Sequence, residues 1–147
     1  MGSDADQITK LVYRYAEMMD GGDLAGVAGL FADASFRTQG RPDVRRGSAQ
    51  VLETFQQMVI LYDGKPSTRH VTTNLMVEVD ESRQTASARS YFSVLQARPE
   101  LPLQIIIAGR YHDRFERVAS GWRFSDRVII VDLIGDLRYH LKQSIQA

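Results

Sequence analysis

The chain has no cysteine, only four prolines, three histidines and one tryptophan in 147 residues, and no excess of either charge. Without cysteine there is no disulfide framework, no thiolate metal site and no cysteine nucleophile. The 18 Lys+Arg against 18 Asp+Glu argue against a nucleic-acid binder, which carries a clustered basic face. Long apolar runs are also missing. Ile105–Ala108 and Val128–Val131 are far too short to span a bilayer, and Met1–Lys10 is too polar for a signal peptide. The expectation is a cytoplasmic chain with no membrane partner. No low-complexity stretch, repeat or Pro/Gly/Ser-rich linker divides it, so residues 1–147 read as a single domain. A chain of this length buries about 68–70% of its unfolded surface, enough for a real core.

What is present changes period part-way along. Ile8, Leu11, Val12, Tyr15 and Met19 lie on the stripe of an amphipathic helix. Gly21-Gly22 stops it, and Asp23 can cap a short second helix carrying Leu24, Val27, Leu30 and Phe31. Ala34–Thr38 is a short strand candidate. A turn-rich basic stretch, Gln39–Gly47, leads to Ser48 as N-cap of a third helix with Val51, Leu52, Phe55, Met58 and Val59 as its stripe. From Thr68 the alternation is of period two: Val71, Leu75, Val77 and Val79 share one parity. Strand-like segments follow over Gln84–Ala97, Leu103–Val118 and Trp122–Ile134, then a polar, partly helical tail, Gly135–Ala147. Three helices followed by an antiparallel meander is an α+β layout, with the helices covering one face of a curved sheet.

Particular local sequences sharpen this. Tyr15–Leu24 leading to Leu30-Phe31-Ala32-Asp33, then Arg69-His70-Val71-Thr72-Thr73-Asn74, Gly109–Arg117, Gly121-Trp122-Arg123-Phe124 and Val131–Leu137 resemble the SnoaL-like branch of the NTF2-like (cystatin-like) superfamily. The resemblance runs over roughly residues 5 to 141. It implies a cone: three N-terminal helices packed on a strongly curved, mostly antiparallel sheet, with a pocket between them. The group holds isomerases, dehydratases, dehydrochlorinases, cyclases and non-catalytic partners, so the fold leaves the activity open.

Within that frame three residues are the candidate catalytic set. His70 and Asp20 match the positions of a histidine–aspartate dyad that dehydratases and dehydrochlorinases of the group carry inside the pocket. A neutral imidazole can accept a proton near pH 7, and a carboxylate on its other nitrogen fixes tautomer and orientation. Tyr15, on the helical stripe, matches a tyrosine that polarises a substrate carbonyl in dehydratase relatives, in the manner of an oxyanion hole. Each also has a plain structural reading: a helix-end turn for Asp20, a satisfied strand histidine for His70, core packing for Tyr15. Dehydrochlorinase relatives carry lysine at the tyrosine position, which counts against that activity.

Asn74, Tyr91 and Arg127 are candidate substrate-binding residues, Arg127 alternatively forming an ion pair with Asp132 at the pocket rim. The middle strand is apolar at Phe92-Ser93-Val94-Leu95, where a ketosteroid-isomerase-like mechanism needs a second carboxyl. His112 and His140 read as surface residues, and His112–Arg117 as a solvated, charge-alternating strand face. Arg37, Arg41, Arg45 and Arg46 read as an ordinary basic loop. No histidine pair has metal-ligand spacing, and no G-x-S-x-G, P-loop or dinucleotide fingerprint occurs, so neither metal nor cofactor is expected. The resulting expectation is a pocket protein acting as a dehydratase-like lyase or isomerase on a small hydrophobic cyclic substrate, assembled as a homodimer by analogy. The alternatives are a non-catalytic subunit resembling the beta subunits of ring-hydroxylating dioxygenases, or a small-ligand binding protein.

Overall fold

The computed structural model describes residues 2–147. Helix α1 (Asp4–Asp20) starts at a capping box in which the Ser3 hydroxyl and the Asp6 carboxylate satisfy each other's backbone N–H groups, removing two of the helix's orphan donors. Its stripe, Ile8, Val12, Tyr15, Ala16 and Met19, is buried. Helix α2 (Leu24–Gly29) is capped by Asp23, which accepts from the Gly26 N–H at 2.9 Å. Strands β1 (Ser35–Thr38) and β2 (Val44–Arg46) precede helix α3 (Gly47–Met58). Ser48 is not the cap of α3. The helix begins at Gly47, and the Gln50 side chain accepts the Arg46 N–H instead.

Four long strands follow: β3 (Thr68–Asp80), β4 (Thr85–Arg98), β5 (Leu101–Val118) and β6 (Gly121–Ile134). They form one six-stranded sheet in the order β2-β1-β6-β5-β4-β3. All pairings are antiparallel except β1 with β6. Strand β2 lies in the stretch read from sequence as a plain turn. Its three residues, Val-Arg-Arg, are held by pairing with β1 rather than by any alternation of their own.

Bulges decide which side chains face inward. In β3 the register shifts between Thr73 and Met76, where Asn74 takes a positive φ of 53°. An extra residue flips the parity of everything after it. Leu75, Val77 and Val79 therefore pack against the core while Val71, read as their partner in parity, is exposed. The inward positions before the bulge are Thr68 and His70. At Gly109 on β5, a Cβ would lie 2.1 Å from the Ile130 carbonyl oxygen and 2.8 Å from the Phe92 ring. Only glycine lets Phe92 lie flat on Tyr111, with centroids 4.5 Å apart.

The core holds one fully buried ion pair. Arg127 (β6) donates from Nε and Nη2 to the two Asp113 (β5) carboxylate oxygens at 2.8 and 2.9 Å, and both side chains are fully enclosed. Its guanidinium lies 3.7 Å from the Tyr111 ring centroid, 4.3 Å from Tyr15 and 5.1 Å from Phe124. Arg127 is thus no rim residue and does not pair with Asp132, which instead binds Arg110 on the surface at 2.9 and 3.0 Å. The charged segment of β5 is likewise only half solvated, since Asp113 and Phe115 point inward between exposed His112 and Arg114. Removing one member of a buried pair leaves an uncompensated charge. Arg127→Met is expected to lower unfolding free energy by about 3–5 kcal/mol in urea titration. An Asp113→Leu/Arg127→Met double variant is expected to lose clearly less than the single.

Candidate active site

The site begins where α1 must end. Asp20 is the last residue of that helix, and Gly22 follows in the left-handed region with φ 81°. A Cβ there would sit 1.8 Å from the Gly64 carbonyl oxygen. This close approach presses the end of α1 against the loop that feeds β3. A carboxylate at a helix C-terminus is opposed by the helix dipole, and here three donors outweigh that. The Thr68 hydroxyl donates to Asp20 Oδ1 at 2.9 Å, the His70 backbone N–H to Oδ2 at 2.7 Å, and His70 Nδ1 lies 2.6 Å from Oδ1. Burial pushes the Asp20 carboxyl up, but the hydrogen bonds and charge of His70 and the Thr68 hydroxyl prevail and hold it below its ordinary range.

An ionised carboxylate only accepts, so Nδ1 carries the proton toward Asp20, and Nε2 of the neutral ring keeps a free lone pair. Both side chains are nearly enclosed, at 8% and 13% exposure. His70 borders a cavity of about 230 Å³ between the sheet and α3. That is smaller than the roughly 300–1,000 Å³ typical of pockets for drug-sized ligands. Its walls are mainly apolar, with Met19, Phe55, Met58, Phe92, Val94 and Ile107 among them. Tyr15 and Tyr111 also reach it. Burial raises the hydroxyl pKa of both, Tyr111 well above the ordinary value, so both stay protonated donors.

The structure therefore brings together Tyr15, Asp20 and His70. It does not bring in Asn74 or Tyr91, which are exposed on the sheet and absent from the cavity wall. Arg127 lies behind the wall, under Tyr15 and Tyr111.

Sequence reasoning missed His140. It is not a surface residue: it is 7% exposed, borders the cavity, and its ring stands 6.3 Å from that of His70 in an edge-on arrangement. The tail is not helical either. Its strand-like pinning to the loop after α3 does the placing. The Ile60 N–H donates to the His140 carbonyl at 2.9 Å and the Lys142 N–H to the Met58 carbonyl at 2.8 Å, with Val59 and Leu141 bridged. The Tyr62 hydroxyl and Gln96 amide both donate to the Tyr139 carbonyl. The signal in the sequence is the spacing Leu137, Leu141, Ile145, of which Leu137 is buried and the other two border the cavity. Three of the basic-loop residues, Arg37, Arg41 and Arg45, border it as well. Among the described residues no group of three His, Asp or Glu side chains is arranged to hold a metal, and no helix is long and apolar enough to cross a membrane.

A helix-covered, curved sheet with a histidine–aspartate pair beside an apolar cavity is the NTF2-like, cystatin-like fold. The profile of SnoaL-like domains matches residues 2–128, and the chain belongs to that family. Among solved structures, an NTF2-like protein with a cystatin-like fold from Novosphingobium aromaticivorans superposes with a TM-score of 0.72. It shares 20% identity over 87% of this chain and 81% of its own. A protein of unknown function from Mycobacterium tuberculosis gives 0.70 at 29% identity, over 91% of this chain and 78% of its own. ActVI-ORFA from Streptomyces coelicolor gives 0.71 at 18% identity, over 87% and 96%. No curated protein matches the chain.

Burial, then the positive charge His70 can carry, depress the His140 pKa to about 4, Asp20 opposing weakly. The unfolded imidazole titrates near 6.5. As pH falls from 6.5 toward 4 the unfolded chain gains a proton here that the folded chain does not, so stability drops through that window. His140→Phe is expected to flatten the stability–pH curve there by up to about 1.4 kcal/mol per pH unit. Urea unfolding of both proteins at pH 5 and pH 7 checks this.

Proposed function

We propose that the chain, as one SnoaL-like domain, is a cofactor-free, dehydratase-like lyase or isomerase acting on a small hydrophobic cyclic carbonyl compound. The observation that carries this reading is the 2.6 Å contact between His70 Nδ1 and Asp20, with the ring on the cavity wall. Nε2 of His70 takes the proton α to the carbonyl; the C–H electron pair becomes the carbon–carbon double bond of the enolate as the C=O π pair moves onto oxygen. The Tyr15 hydroxyl donates to that oxygen. Asp20 holds the ring in place and stabilises the imidazolium. In elimination, the enolate re-forms the carbonyl as a β-hydroxyl leaves, and the imidazolium proton goes with it as water. In isomerisation, the same proton returns to another carbon. Proton transfer is all either route asks for, so no bound cofactor is needed.

The test is exchange of the α-proton of 2-tetralone in D2O, followed by NMR, since exchange reports proton abstraction whatever the leaving group. Wild type is expected to accelerate it over buffer, and His70→Gln to lose that acceleration by about 10²–10⁴-fold. Asp20→Asn should lie between them. Equal exchange in wild type and His70→Gln would sink the enzymatic reading, leaving a binding protein or a supporting subunit.

The chain is further proposed to pair with a second copy through the outer face of the sheet. Tyr91, Leu103, Ile105 and Leu133 stand 53%, 70%, 58% and 69% exposed there, and a cluster of exposed apolar side chains on one face marks an interaction site. Sedimentation at micromolar concentration is expected to give a dimer for wild type and a monomer for Ile105→Lys/Leu133→Lys.

A further inference from the structure

Deepening the reading that the cavity is a ligand site, we propose that its natural ligand is a cyclic carboxylate, with its ring in the apolar cavity and its anionic group bound at the arginine-lined mouth. The β1–β2 hairpin forms this mouth together with α3. Arg37, Arg41 and Arg45 border the cavity there, against a single carboxylate, Asp43. The hairpin turns at Gly40, whose φ of 84° suits glycine, and the Arg41 N–H closes the turn onto the Thr38 carbonyl at 3.2 Å.

Two of the three guanidinium groups are held in place. Arg45 donates from Nε to the Thr54 hydroxyl at 2.7 Å, and that hydroxyl is fixed on the Gln50 carbonyl of α3 at 3.0 Å. Its nearest carboxylate oxygen, on Asp43, is 3.8 Å from Nη1, too far for a hydrogen bond. Arg37 touches Asp126 at 3.4 Å through one Nη only. Arg41 has no carboxylate partner among the described residues.

Three arginines elsewhere, Arg127 on Asp113, Arg110 on Asp132 and Arg138 on Asp136, are satisfied two-fold by one carboxylate. None of the three at the mouth is so paired, which leaves three planar donor forks, whose geometry matches a carboxylate, side by side on one cavity edge. A chain of zero net charge thus places a local positive potential at the entrance of an apolar cavity, which raises the on-rate of an anion and orients it ring-first.

The experiment compares 2-naphthoate with its neutral isostere 2-naphthamide by calorimetric titration at 20 and 200 mM NaCl. Wild type is expected to bind naphthoate about tenfold more tightly at low salt, with the gap closing at high salt as exposed charges are screened. The Arg37→Gln/Arg41→Gln variant, altering exposed side chains outside the catalytic trio, should bind the two probes alike. Equal affinity of wild type for the two probes, binding of neither, or a preference that survives in the variant, would overturn the proposal. His70→Gln should keep the naphthoate preference, so failure of the proton-transfer reading and failure of this one give different results.

Discussion

The Asp20 carboxylate is bound from three directions at once, and most of the site follows from that. It terminates α1, yet all three of its partners, the Thr68 hydroxyl, the His70 N–H and His70 Nδ1, belong to the first residues of β3. Helix and strand are nearly fifty residues apart in sequence, and here they share one charge. A largely buried carboxylate without donors costs several kcal/mol in desolvation, so this junction has one arrangement that satisfies it. In that arrangement the imidazole tautomer, the ring direction and the docking angle of α1 are set together. A group that looks catalytic is also the joint of the fold.

A second polar element lies behind the first and constrains the tyrosines. The guanidinium of Arg127 is clamped by Asp113 along one edge and faced by Tyr111 and Tyr15. Cation–aromatic contacts of this kind are worth up to about 2 kcal/mol or more when water is excluded, and they fix the ring planes. Nη1 of Arg127 remains without a partner, so the cluster is held by charge and stacking rather than by full hydrogen bonding. Both tyrosines thereby reach the cavity with little rotamer freedom left. Such preorganisation is what a donor to a developing oxyanion requires.

The parts of this architecture legible in the sequence are those where periodicity and local chemistry agree. The α1 stripe, the Asp23 cap and the change to period two after Thr68 rest on short-range patterns, whereas the pairing of His70 with Asp20, fifty residues apart, was legible only through the family resemblance. Other features depend on contacts that no local pattern encodes. The Asn74 bulge reverses the inward set of β3, and an asparagine that tolerates positive φ is its only trace. Arginine is almost never fully enclosed, so nothing in Ser-Asp-Arg-Val marked Arg127 as the centre of the core. His140 sits in a polar tail whose burial is decided by backbone pairing with the loop after α3, far away in the chain. Strand β2 exists because β1 offers it an edge.

The tail differs from the rest of the cavity wall in one respect. The dyad and Tyr15 lie within the span common to SnoaL-like domains, residues 2–128, whereas His140, Leu141 and Ile145 come after it. One part of the cavity wall thus comes from a segment outside that span, while most of it comes from residues inside. A proton-transferring pair tolerates little displacement, because geometry within about 0.5 Å decides whether it works. An apolar wall tolerates replacement of one apolar residue by another at a cost of about 1–3 kcal/mol in binding discrimination. Under the function proposed above, divergence in the tail would change which ring the cavity accepts while leaving the Asp20–His70 junction untouched. Arg37 and Arg41 of the β1–β2 hairpin, both exposed, would under the same proposal vary with equal freedom and alter charge preference independently of shape.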